Sequence, residues 1–576
     1  MSNPKAYLFL LGFVLSLTTL IFLGNDLASA IDSPTPPAQE YIRPTNFFVA
    51  KVYFTEKSEL DWLASWLDIW EVNPSQSYLV TTLDQEAYQV LMSKGYKIWK
   101  DQQTTNSLNR PRTSFPAQQQ GIPGFPCYRT VEETYSDLIT WANERPDLVT
   151  LHDIGDSWQK TNPDIQPGYD LLAIVIHAKD KPYDENKPKL FVLAAIHARE
   201  YATAEMAMRF ADHLIANYPF DPEVTWLLDH FEIHILPIAN PDGRKLAEIG
   251  YYQRKNMNNS NGGQCAQPPM PSNQYGTDLN RNHTYQWGGA SNDPCSTVYQ
   301  GPSPASEPET QAVESYLRSL FPSQGEVKEG QPALSSTSGL FISLHSYGQL
   351  VLWPWGYTAQ PPPNAAALEQ LGKRLAALNH YYPTQSYNLY QTTGDSDDFT
   401  YGELGIPSFT FEMGTAFFQD CQTFENTIFP NNLQALLYAG KVTYRPYLLP
   451  FGPETNQVRA EPNTVSTGDA FTLTATTFTT TNDSQVITAA RASLDLPSWL
   501  SESIFPLQAV DGSLDEPQED LYLSMDTTNW TPGRHILFVE GQDNHGNWGP
   551  PATTFIWVAS DSPHPLMYYF PLVQRP

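Results

Sequence analysis

Between about residues 127 and 447 the chain alternates short runs rich in Val, Ile, Leu and Phe with long amphipathic stretches. Runs of the first kind occupy residues 190–196, 231–238 and 340–344, and amphipathic stretches occupy 202–218, 307–320, 365–381 and 431–444. A run that is apolar at nearly every position, as 190–196 is, rather than at every second one, reads as a strand buried on both faces. Strands of that kind alternating with helices specify an α/β fold, a mostly parallel or mixed sheet with helices on both sides. Such sheets take their ligands in the crevice beyond the carboxyl ends of their strands.

Polar residues with metal-binding chemistry fall at those ends. His197, Ala198, Arg199 and Glu200 follow the run 190–196 directly, and His345 closes the run 340–344. In catalytic sites zinc takes three protein ligands, His₂Glu being one known set, and keeps the fourth position open. Spacing alone does not separate this reading from a surface histidine beside a salt-bridged glutamate, because 12 His and 62 acidic residues produce such spacings by chance.

A chain of 576 residues exceeds what one core supports, so several domains are expected. In residues 1–30, Lys5 precedes an apolar stretch at 6–24, and Ala28, Ser29 and Ala30 form a small-residue cleavage site. That pattern is a secretory signal peptide, an uncleaved anchor being the alternative. No later apolar stretch is long enough to cross a bilayer, so the mature chain is expected to be secreted, with no membrane insertion after signal removal. Outside the cytoplasm four cysteines read as two disulfides. A net charge of −29 speaks against nucleic acid or anionic lipid as a partner, since binding phosphates requires concentrated Lys and Arg.

Residues 31–45 are Pro- and Thr-rich and read as a linker. In 45–100, strand-like runs at 50–54, 69–72, 78–82 and 96–99 alternate with helix-like runs at 58–67 and 84–94. That order, βαββαβ, is a small ferredoxin-like α+β domain. Residues 101–124 lack apolar periodicity and read as an exposed linker. From 451 to 560, short Thr- and Val-rich runs separated by Asp, Gly and Asn turns predict an immunoglobulin-like β-sandwich, followed by a tail at 561–576.

Further motifs of the middle domain follow in order. Asn240, Pro241, Asp242 and Gly243 come after the run 231–238; then Arg254, then Asp278 with Asn280 and Arg281, then His345 with Ser346 and Tyr347. Tyr390 precedes Asp395 and Asp397, and the run 408–411 ends in a lone carboxylate, Glu412. In this order the residues closely resemble the zinc metallocarboxypeptidases of the carboxypeptidase A, B and T type, over about residues 121–447.

The resemblance implies a mixed-sheet carboxypeptidase catalytic domain that binds one Zn²⁺ through His197, Glu200 and His345 and acts on peptide or protein C-termini. It makes Glu412 the general base and acid, because a carboxylate beside activated water can take its proton and return it to the leaving amine. Arg254 would stabilise the oxyanion, and Asp278 would orient His197. Asn280 and Arg281 would grip the substrate's α-carboxylate under Tyr390, a task that suits the planar fork of arginine. Arg199, Ser346 and Tyr347 match positions contacting the residue before the scissile bond. Asp397 matches the specificity position and implies preference for C-terminal Lys or Arg, with Asp395 a second candidate on the same face if that segment is extended. The remaining walls, Ser343, Leu352, Gly356, Thr392 and Thr410, are small or apolar and admit apolar side chains as well.

The resemblance also implies a Cys265–Cys295 disulfide, leaving Cys127 and Cys421 as the second pair, and it makes 45–100 an activation-type domain, a permanently attached accessory domain being the alternative. A trypsin-like protease acting after Arg112 would then be a partner. Two other readings are an inactive binding protein on the same fold and a zinc amidohydrolase acting on cell-wall peptides. The first requires a missing ligand, base or clamp residue, and none is missing; the second has no need of Asn280 and Arg281.

Overall fold

The structure is a computed structural model describing residues 47–109, 120–162, 167–181, 187–321, 327, 331–480 and 484–560, all belonging to one compact unit. The signal peptide, the linker at 31–45 and the tail fall outside the described residues. Its centre is an eight-stranded mixed sheet built from β5 (Val149–Asp156), β6 (Asp170–Ile176), β7 (Lys189–Ala194), β8 (Glu232–Leu236), β9 (Leu340–His345), β10 (Leu350–Trp353), β11 (Tyr382–Gln385) and β12 (Ser408–Glu412). The strand order is β11-β10-β12-β9-β7-β8-β6-β5, with β12, β9, β7 and β8 mutually parallel.

Alternate residues of the central strands feed two cores. Leu190, Val192 and Ala194 of β7 point into one, with Leu340, Ile342 and Leu344 of β9. Phe191 and Leu193, with Phe341, point into the other. Helices cover both faces, which is why these strands are apolar over most of their length. Local signals fix the helix starts. Thr130 and Glu133 form a capping box ahead of Val131–Glu144, and Asp221 caps Pro222–His230 with proline in its first turn. Two disulfides, Cys127–Cys421 and Cys265–Cys295, are formed. A crosslink closing a loop as short as the second contributes about 3.5 kcal/mol in the chain-entropy account.

Toward the N-terminus a four-stranded antiparallel sheet has the order β2-β3-β1-β4, from β1 (Phe47–Tyr53), β2 (Ile69–Asn73), β3 (Tyr78–Asp84) and β4 (Ile98–Asp101). Lys57–Ala64 and Gln85–Ser93 are its helices, the second capped by Asp84. The expected linker is corrected at its start: Gln102–Asn109 is a helix. Asp101 accepts from the backbone N–H and the hydroxyl of Thr104, Thr105 Oγ1 receives Val49 N–H at 2.9 Å, and Leu108 is buried. This side-chain capping has no apolar period to betray it.

Past residue 450, two sheets enclose a separate core of Leu473, Ala492, Leu521, Leu537 and Ile556. One contains β13 (Glu454–Glu461), β15 (Ala470–Phe478), β18 (Gln508–Ala509) and β19 (Gln518–Asp526). The other contains β14 (Thr464–Ser466), β16 (Ile487–Leu494), β17 (Ile504–Pro506), β20 (Gly533–Asp543) and β21 (Ala552–Ala559). β15 alternates buried and open positions along its length, as a strand with one solvated face does.

Candidate active site

The carboxyl ends of β7, β9 and β12 open into a cavity of about 890 Å³. Its walls bring together His197, Arg199, Glu200, Arg254, Asn280, Arg281, His345, Tyr390, Asp397 and Glu412, residues up to 215 positions apart (412 − 197). β9 and β12 run in parallel register with His345 opposite Glu412 and Ser343 opposite Thr410. The apolar residues between them, Leu344, Phe409 and Phe411, turn into the core behind. Period two in the strands therefore places all four polar side chains on one face.

His197 Nδ1 lies 2.8 Å from Glu200 Oε1 and 3.2 Å from His345 Nδ1, which lies 3.4 Å from Glu200 Oε2. All three side chains are buried, and their donor atoms lie within 4.8 Å of one another. Two imidazole nitrogens and a carboxylate converging on one point are the donor set of a catalytic zinc, so the residues fit that ion. Burial opposes ionisation of Glu200, but the two imidazoles outweigh it and hold the carboxyl well below its usual range. Ser346 N–H donates to Glu200 Oε2 at 3.1 Å and helps fix the carboxylate.

Asp278 joins the triad to the guanidinium above it. Its Oδ1 lies 3.1 Å from His197 Nε2, and its Oδ2 accepts from Arg254 Nε at 3.0 Å and Nη2 at 2.9 Å. Glu412 stands beside this array with its pKa pushed up to about 7, mainly by burial and further by the nearby charge of Glu200. Asn280 accepts Ser396 N–H through Oδ1 at 2.9 Å, and Arg281 Nη1 donates to Asn280 O at 2.7 Å, leaving the guanidinium at the cavity wall.

The segment after Gly394 is not extended. Ser396–Leu404 is a helix that Asp395 caps, and this corrects the condition under which Asp395 and Asp397 would share a face. Asp395 Oδ1 accepts Asp398 N–H at 2.8 Å and its Oδ2 accepts Thr392 Oγ1–H at 2.7 Å, so both oxygens are committed. The reason is local: aspartate ahead of a helix satisfies its free N–H groups. Asp397 accepts Thr410 Oγ1–H at 2.7 Å through Oδ2, while its buried Oδ1 has no hydrogen-bond partner. Burial, aided by Asp395, pushes its pKa up to about 7.

Two carboxylates of the N-terminal layer also reach the site, and sequence reasoning had no signal for either. Asp68, between the first helix and β2, is buried with Oδ2 2.6 Å from Arg199 Nη2 and Oδ1 3.8 Å from Arg254 Nη1. Trp70 Nε1 donates to it at 3.0 Å. Burial opposes its charge, but Arg199 and Arg254 together hold its pKa below the usual value. Asp61 accepts Gln391 N–H at 2.8 Å, on the segment carrying Tyr390, whose ring packs against the N-terminal core. Tyr347 packs at 4.9 Å from Phe417, which Trp70 also touches.

Known proteins agree with this geometry. The family model for zinc carboxypeptidases matches residues 134–435, and the chain belongs to that family. Carboxypeptidase A2 of Rattus norvegicus is 32% identical over 337 residues, covering 55% of this chain and 71% of that protein. A zinc carboxypeptidase of Saccharothrix mutabilis subsp. capreolus is 31% identical over 318 residues, covering 52% of this chain and 66% of its own length. Carboxypeptidase A from Helicoverpa armigera shares the fold at a TM-score of 0.53 and 20% identity, covering 70% of this chain and 97% of that one. Members of the family use one Zn²⁺. No helix among the described residues is long and apolar enough to cross a membrane.

Proposed function

We propose that the chain is a secreted carboxypeptidase that removes single C-terminal residues from peptides. The observation that carries this is the convergence of His197, Glu200 and His345 with Glu412, Arg254 and Arg281 in one cavity. Zinc held by the three ligands would acidify a water and polarise the scissile carbonyl. Glu412 takes the water's proton, its pKa near 7 suiting it to return that proton to the departing amine. Arg254, oriented by Asp278, donates to the carbonyl oxygen as charge develops there. Arg281 and Asn280 bind the free α-carboxylate, and Tyr390 closes over it once released from the N-terminal core. Arg199, Ser346 and Tyr347 contact the preceding residue.

The free Oδ1 of Asp397 supports a preference for C-terminal Lys or Arg, since a charge-assisted pair there is worth roughly 1.5–3 kcal/mol. Leu352 and Thr410 line the same space, which supports acceptance of apolar residues too. Residues 45–100 form an inhibitory activation domain of ferredoxin-like order, released by cleavage after Arg112, and 451–560 form an immunoglobulin-like domain. The position of Asp68 between two site arginines supports the inhibition.

The test uses peptides ending in Lys, Arg, Leu or Phe, each with a free or amidated C-terminus. Single-residue release from the free peptides only, fastest for Lys and Arg and abolished in Glu412→Gln with zinc retained, is expected. Efficient cleavage of amidated peptides would favour an amidase.

A further inference from the structure

Each imidazole of the triad turns one nitrogen inward and the other outward. The outward Nε2 of His197 meets a carboxylate, Asp278, at 3.1 Å. The outward Nε2 of His345 meets a hydroxyl, Ser343 Oγ, at 3.0 Å. Ser343 is wholly buried and stands two residues before its histidine on β9, so the contact arises from the strand's own period.

A neutral imidazole carries one N–H and one lone pair. The Nδ1 atoms of both histidines face Glu200 and each other, so a metal there needs the lone pair on Nδ1 and the proton on Nε2. A buried N–H without an acceptor is destabilising, and the outward partner therefore decides which tautomer persists. We propose that Ser343 is the positioning residue of His345: its oxygen accepts the Nε2–H and holds the Nδ1 lone pair toward the metal, as Asp278 does for His197. The inference rests on the zinc reading of the triad.

The choice of a hydroxyl has a local reason. Ser343 lies opposite Thr410, whose hydroxyl already donates to Asp397. A carboxylate at 343 would add a second anion beside Asp397 and Glu412, two groups that burial already pushes toward the neutral form. A hydroxyl orients the ring without adding charge. Histidine partners of this kind typically change metal affinity by about 10- to 100-fold, and a neutral one belongs at the lower end.

The experiment measures the zinc dissociation constant of the full chain by competition with a chelator of known affinity, with urea unfolding of the metal-free proteins as a fold check. Ser343→Ala is expected to weaken zinc binding roughly tenfold, and Ser343→Thr, which keeps the oxygen, to stay within about threefold of wild type. Ser343→Ala within twofold of wild type overturns the proposal. If either variant fails to fold, histidine ¹⁵N spectra of the zinc-loaded wild-type chain decide: a protonated Nε2 on His345 is expected, and a protonated Nδ1 overturns it. His345→Ala serves as the reference. Undiminished zinc binding in that variant removes the metal reading and this inference together, whereas zinc loss in His345→Ala but not in Ser343→Ala removes this inference alone.

Discussion

The N-terminal and C-terminal layers both pack on the central body, and they do so by different physics. The N-terminal layer keeps its own small core and sends buried charge into the site, with Asp68 on Arg199 and Arg254 and Asp61 on the segment of Tyr390. Its apolar contacts with the body are a small cluster around Trp70 and Phe417 and the packing of the Tyr390 ring on the N-terminal core. The C-terminal layer instead extends the main core. Phe538 belongs to the same cluster as Trp226, and Trp499 stacks on Tyr444 with ring centroids 4.3 Å apart. Arg374 donates to the carbonyls of Pro450 and Gly452 and lies 3.9 Å from Glu454, and Glu223 accepts Thr553 N–H at 2.8 Å, so polar contacts supplement the apolar ones at this join.

The difference teaches what each attachment is suited to. Apolar burial is non-directional and changes little with small shifts, so a joint built on it holds permanently. Buried ion pairs repay their desolvation only while the geometry is kept, so a joint built on them can be released once the connecting chain is cut. Asp68 also holds the two guanidiniums that a bound peptide would use. On the proposed function, an inhibitory N-terminal layer and the substrate would compete for the same charges.

The comparison is broken most forcefully at the C-terminal joint. Trp226 is fully buried against Phe231, Trp499 and Phe538, and Trp226→Ala is expected to destabilise the chain by about 3–5 kcal/mol in urea unfolding. A change below about 1 kcal/mol would mean that the C-terminal layer is not part of the main core.

At the N-terminal joint the readout is activity. Asp68→Asn removes the charge while keeping the shape, and losing a charge-assisted contact worth roughly 1.5–3 kcal/mol shifts the undocked population about ten- to hundredfold. The intact variant is accordingly expected to hydrolyse peptides that much faster than intact wild type, with no difference once both have been cut. Asp61→Asn is the smallest effect, about two- to tenfold by the same assay, because its contacts to the body are hydrogen bonds from the uncharged donors Gln391 N–H and Tyr387 O–H, worth roughly 0.5–1.5 kcal/mol. An Asp61→Asn effect larger than that of Asp68→Asn would move the inhibitory contact from the arginines to the Tyr390 segment.

Much of the central body was legible in the sequence because burial on both faces leaves a strong mark. The runs ending at Ile196, Leu344 and Phe411 are uncharged and rich in apolar residues, and the polar residues after them had to lie at strand ends. The order of the motifs then brought His197, Glu200, His345 and Glu412 to one cavity. What was hidden is what tertiary contact decides. Asp68 sits in a turn with no motif around it, and only the docking of β2 against the cleft gives it two arginine partners. Asp395 and Asp397 look equivalent in sequence, yet helix capping consumes one and leaves the other an open oxygen. Residues 102–109 carry Gln, Thr, Asn and Ser without periodicity, and their helix is set by Asp101 and the packing of Leu108.

The central claim is that the N-terminal layer is a detachable block on a complete carboxypeptidase, whereas the C-terminal layer is part of its body. It is tested most directly by measuring kcat/KM on a peptide with a free C-terminal Lys before and after cutting the full chain after Arg112 and removing the N-terminal fragment by size exclusion. A rise of at least about tenfold, the equivalent of roughly 1.4 kcal/mol, with unchanged zinc content is the expected result. Equal kcat/KM for the two forms would contradict it.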